Sequence, residues 1–205
     1  MKTVDIFEWK KMRGGEGSGN FGHEGRPGSI GGSGGEGSGE VDKSIEIVKK
    51  LVMSGGGGWG DLGVNNEVEN ILKKTVDDKQ YKVYRGLHLM KSRMSIEQYN
   101  QIKELKVGDV VPDFLRKQGN DFSSSSLKLS VANYYAKEGN IELIMTAELD
   151  RSQVFVDTTN LKDVMTDMGR TNDFSEDDYN YFRTDKEIIF KEPVKFTVHS
   201  NKVNK

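Results

Sequence analysis

The 205-residue sequence predicts an α+β domain carried behind a glycine-rich tail. Three observations carry this. From Arg13 to Glu40 glycine and serine dominate, with Phe21 and Ile30 almost the only large apolar residues. Such a stretch buries too little surface to offset its ordering entropy, so it predicts a flexible linker. Two helical stretches then follow with no strand between them. From Tyr81 onward, short runs rich in aromatic and β-branched residues alternate with turn residues, as strands do. Helices early and strands late argue against a doubly wound sheet. The expected division is a tail over residues 1–40 and one folded domain over 41–205.

Each element has its own signal. Val41, Ile45, Val48, Leu51 and Val52 recur at helical spacing, with Asp42 and Glu46 early and Lys49 and Lys50 late, where the helix dipole favours them. Gly55–Gly58 ends that helix, and a second, from about Asn65 to Val76, carries Val68, Ile71 and Leu72 on one face. Tyr81–Leu87 reads as a strand, Ser95–Leu105 as a helix, and a further strand leads into Phe122. Beyond the serine run, Ser130–Lys137 reads as a short helix, and Ile141–Leu149 and Gln153–Val156 as strands. Glu187–Lys191 and Lys195–His199 read as a final strand pair about Pro193, and Asp177–Thr184 as a loop.

Composition narrows the chemistry. Lys+Arg 30 against Asp+Glu 32 leaves no global field towards nucleic acid or anionic lipid. With no cysteine, disulfides, thiolate metal sites and cysteine nucleophiles are all excluded. The first residues lack the apolar core of a signal peptide, and no run reaches membrane-spanning length, so a cytoplasmic protein without membrane partners is expected. His23, His88 and His199 have no ligand spacing, and no metal is expected. Gly55–Gly60 follows a helix where a dinucleotide loop would follow a strand.

Three polar positions remain at strand-like places: Arg85 in VYRGL, the serines of DFSSSSLKLSVANYYA, and Glu187 in TDKEIIF. Singly, each has a plain structural explanation as a surface arginine, a serine loop or an outward-facing strand residue. In this order they resemble the arginine, serine-threonine-serine and glutamate signature of ADP-ribosyltransferases of the bacterial-toxin type, over roughly Tyr81 to His199. Tyr84-Arg85-Gly86 looks like the family's first strand. Ser124-Ser125-Ser126 looks like its serine motif, with Ser125 where threonine is commoner, and SVANYYA like the helix that follows. Asp185-Lys186-Glu187 falls where the family carries Glu/Gln-x-Glu, so Asp185 departs from it by one methylene.

The resemblance implies two packed, mostly antiparallel sheets around a cleft for NAD, bound as cosubstrate. Arg85, Gly86, Ser124, Ser125, Ser126 and Glu187 would bind it, and Glu187, Asp185 and Ser124 would carry the catalysis. These residue types suit the task. A guanidinium fork matches a pyrophosphate, and a carboxylate against the ribose stabilises the positive charge that builds as nicotinamide leaves. Asp185 would select the acceptor, with arginine favoured. Tyr179, Tyr181 and Phe182 would face a protein substrate, and Phe155 or Tyr134 would line the nicotinamide side.

Gly19–Gly35 resembles a segment of tailed-phage head-morphogenesis proteins. It implies a phage origin, a capsid or head protein as a partner of the tail, presence in the virion before delivery, and action in the host cytoplasm on a host protein. Three alternatives stand beside this transferase: an NAD glycohydrolase on the same fold, nucleic acid as acceptor, which the charge balance does not favour, and a non-catalytic virion or interaction protein. Residues 1–12, with Phe7 and Trp9, would form a helix only against a partner.

Overall fold

The computed structural model describes residues 38–53, 64–115 and 122–204. Residues 1–37 (with His23), the Gly55–Gly60 run and the Phe122 side chain lie outside the described residues.

Helix α1 (Ser38–Met53) starts three residues before the expected boundary, and α2 (Asn66–Lys73) follows, capped by the Asn65 side chain, which accepts from Val68 N–H at 2.9 Å. Strand β1 (Tyr81–Leu89) leads to α3 (Ile96–Lys103), whose Ser95–Gln98 capping box fixes its start. The serine run is itself strand β2 (Phe122–Ser126). Next come α4 (Leu129–Ala136), β3 (Ile141–Leu149), β4 (Val154–Asp157), α5 (Leu161–Asp167), α6 (Glu176–Asp185), β5 (Glu187–Lys191) and β6 (Thr197–Val203).

The fold is α+β, but the two expected sheets are one six-stranded antiparallel sheet in the order β4-β5-β2-β1-β3-β6. Its middle is weak. β1 and β3 pair along their whole length, whereas β1 and β2 share the single pair Tyr84↔Ser126. The sheet is therefore two three-stranded halves joined at one point. The expected pairing of the last two strands also fails: β5 lies between β4 and β2, while β6 pairs with β3 on the far edge. Residues 192–196 cross between the halves, so adjacency in sequence did not give adjacency in space.

Strand alternation sorts the core. One face holds a continuous cluster: Tyr81, Val83, Leu87 and Leu89 of β1, the odd-numbered residues of β3, Ile188, Phe190, Phe196 and Val198. The other face is divided. Over β4 and β5, Phe155, Val156 and Ile189 pack against α1, α2, α5 and α6. Over β1 and β3, Ala132 and Ala136 of α4 pack on Tyr84 and Ile144. Between these two clusters lies a polar row. Register sets Glu187 beside Ser126, Ser126 beside Tyr84, Tyr84 beside Thr146 and Thr146 beside Thr197, all on the helical face.

Asp157, at the end of β4, is fully buried. Its Oδ1 accepts from Thr159 N–H at 3.0 Å, and its Oδ2 is 3.9 Å from Lys79 Nζ. Burial is the main cause that lifts its carboxyl above the usual range. The folded chain therefore holds this proton more tightly than the unfolded chain does. The resulting stabilisation is full below the ordinary carboxylate pKa and is lost as pH rises through the raised one. Asp157→Asn is expected to add about 1 kcal/mol at neutral pH and to reduce this acid-side gain. Chemical denaturation of both proteins at several pH values checks it.

Candidate active site at the sheet junction

Arg85 stands one residue past the junction pair, on the opposite face of the sheet from Tyr84. Its Nε and Nη2 donate to the Ser124 carbonyl at 3.0 and 2.6 Å. Leu127 N–H donates towards β5, so by strand alternation the Ser124 carbonyl points into the gap between β1 and β2. The guanidinium fork thus supplies a bond that the diverging strands leave unmade. Its carbon also lies 5.6 and 5.2 Å from the ring centres of Phe190 and Phe196. Burial pushes this guanidinium down to about 10, against the opposing pull of the Glu192 and Glu187 charges. It stays cationic at neutral pH.

Gly86 is where α4 meets β1. A Cβ there would lie 1.8 Å from the Ala132 carbonyl oxygen, so only glycine permits the approach. Beneath α4, at the junction, Tyr84, Arg85, Gly86, Ser125, Ser126, Val131, Ala132 and Tyr135 line a cavity of about 10 Å³, room for about one water. Ser125 Oγ, at 1 % exposure, has no hydrogen-bond partner among the described residues. Ser125 pairs with Ile188, so this hydroxyl lies on the Arg85 face of the sheet, away from α4.

Glu187 opens β5 and is 0 % exposed. Its Cα pairs with Ser126, while Ser124 lies two residues further along the same face, opposite Ile189. The Ser126 hydroxyl donates to the Asp185 carbonyl and accepts from Lys128 N–H at 2.9 Å. Asp185 is the last residue of α6, and Lys186 turns the chain into β5 in the left-handed region, φ 46°. On α6, Tyr181 is held above the usual phenol range, first by burial and then by the negative charge of Glu187.

The chain thus brings Arg85, Gly86, Ser125 and Ser126 to one cavity, with Glu187 on the adjoining strand, Ser124 on the same strand as the serines, and Asp185 at the corner before Glu187. One expectation is corrected. Residues 177–184 are helical, and Tyr179 and Phe182 are core residues at 1 % exposure, so they present nothing to a substrate. Phe155 belongs to the helix-covered core and is not in the cavity wall. Tyr134 is 62 % exposed, and its neighbour Tyr135 lines the cavity. Tyr135 had no distinguishing sequence signal as a site residue, because the packing of α4 brings it there.

Among the described residues, no three His, Asp or Glu side chains converge as a metal site would, and no helix is long and apolar enough to cross a membrane. No family model, curated protein or solved structure matches this chain.

Proposed function

We propose that the chain is an NAD-dependent mono-ADP-ribosyltransferase that modifies a host protein, acting from a phage genome in the host cytoplasm. One observation carries the reading. Arg85, the serine run and Glu187 are far apart in sequence yet lie on the adjacent strands β1, β2 and β5, at the single point where the sheet halves meet. A polar cluster at a sheet junction, between two apolar cores, is what an elongated polar ligand requires. The resemblance implies a cleft for NAD between two sheets, and the weak junction between the sheet halves supports that reading.

In this reading Arg85, which lies on the opposite face of the sheet from Glu187, reaches the pyrophosphate through the gap between β1 and β2 with the donors it does not spend on Ser124. The Glu187 carboxylate faces the ribose and stabilises the positive charge that develops there as the nicotinamide–ribose bond breaks and neutral nicotinamide leaves. An acceptor nucleophile then bonds to that ribose carbon and gives up its proton, to which Asp185 is the nearest acidic group on α6. A cavity of about one water is too small for nicotinamide, so binding requires α4 and Tyr135 to move outward from β1.

The test is incubation of the full chain with NAD bearing a tagged adenosine in a bacterial lysate. Nicotinamide release with the tag on a protein is the expected result. Free ADP-ribose with no labelled macromolecule would replace the transferase by a glycohydrolase. Intact NAD would overturn both in favour of a non-catalytic docking protein.

A further inference from the structure

The corner from α6 into β5 is held from outside at every step. The last carbonyls of a helix have no partner within it, yet here the Thr184 carbonyl accepts from Lys128 Nζ at 2.8 Å and the Asp185 carbonyl accepts from the Ser126 hydroxyl. The Lys186 carbonyl accepts from Leu127 N–H at 3.0 Å. On the other side, the Glu187 carbonyl accepts from Thr158 Oγ1 at 2.9 Å, with both groups buried. Strand alternation explains this last bond. Since Lys186 turns its carbonyl to β2, Glu187 turns its carbonyl to the β4 side, where β4 has already ended at Asp157. A side-chain hydroxyl replaces the missing strand donor.

Four consecutive carbonyls, 184 to 187, are thus fixed by residues of two other segments, 126–128 and 158. Within them Lys186 holds a left-handed conformation that a non-glycine residue adopts at a cost. Such a conformation persists where its surroundings over-determine it, and these places gather at functional sites. We infer that Thr158 and Lys128 are positioning residues, which clamp this corner so that the Glu187 carboxylate keeps one orientation against its substrate. The inference rests on the catalytic reading of Glu187, but the clamp can be read without it. Neither residue touches the cavity: both act through backbone atoms of the segment that carries Glu187.

The experiment compares the native chain with Thr158→Val, Thr158→Ser and Lys128→Met. It measures nicotinamide release from NAD and amide hydrogen exchange across 184–188. Thr158→Val is expected to lower kcat about tenfold, as small misplacements of a reacting group do, and to leave KM within about twofold. Exchange should quicken at 184–188 alone. Thr158→Ser keeps the hydroxyl and should restore both readings. Lys128→Met keeps the stem and should lower kcat about threefold with the same local exchange.

Unchanged kcat in Thr158→Val, or exchange that is unaltered or quickened evenly over the domain, would overturn the clamp. If the native chain releases no nicotinamide, the functional reading falls, and the exchange pattern alone decides the clamp. If Thr158→Val does not fold, Lys128→Met carries both readouts, since the Lys128 side chain lies near the surface.

Discussion

Glu187→Gln is expected to lower nicotinamide release by about 100- to 1,000-fold, the loss typical of removing one preorganised electrostatic group from an active site. The substitution keeps the side chain's size and removes its charge. Backbone pairing to Ser126 and the Thr158 bond to the Glu187 carbonyl do not depend on that charge, so the corner should survive. Stability should not fall. A carboxylate at 0 % exposure is desolvated, and a neutral amide in its place relieves that penalty unless it loses an equal hydrogen bond. Activity and stability should therefore move apart, as they do where a fold carries a strained group for function. Steady-state nicotinamide release and thermal melting read these two effects. Native turnover in the variant would leave Glu187 a structural residue.

Much of this arrangement was legible in the sequence, and the exceptions have physical causes. Ile141–Leu149 and Glu187–Lys191 match their expected bounds: near-alternation of apolar residues marks the first, and the second is a short apolar run, Ile188–Phe190, buried on both faces. Helix α6 was read as a loop because its sequence is acidic and only Tyr179 and Phe182 are buried, too narrow a stripe to register as amphipathic. Its start was nevertheless written in Ser175 and Asp178, which form a capping box with aspartate in place of the usual glutamate or glutamine. The pairing of β6 with β3 could not be read from either strand, since period two declares a strand and not its neighbour.

At the site the division is similar. Arg85, the serines and Glu187 were named as residue types in an order. Their meeting at a single-pair junction is a matter of topology. Thr158 and Lys128 contribute only to backbone carbonyls, a role that no side-chain motif records. In the sheet Ser126 stands directly opposite Glu187 and Ser124 two residues along the same face, a relation set by strand register that the motif itself does not record.

Gly86→Ala is expected to destabilise the domain by about 3 kcal/mol, at the upper end for overpacking, and to lower its melting temperature by about 10 °C. The added Cβ would meet the Ala132 carbonyl oxygen at 1.8 Å, its carbon at 2.7 Å and Ala136 N at 2.9 Å. All three are helix backbone atoms, so no side-chain rotation relieves the clash and α4 must move bodily away from β1. Ala132 and Ala136, one turn apart and almost fully buried, are the small residues that allow the close approach from the helix side. Displacing α4 also shifts Val131, Ala132 and Tyr135, which form one wall of the cavity. NAD turnover should therefore change even at temperatures where the variant remains folded. Gly39→Ala is the control: in α1 a Cβ meets nothing within 4 Å, and the change should be neutral or stabilise by up to about 1 kcal/mol. The same substitution at two glycines thus has opposite expected signs. If Gly86→Ala melted with the native protein, α4 would not be seated on β1 as described, and the cavity at the sheet junction would lose its helical wall.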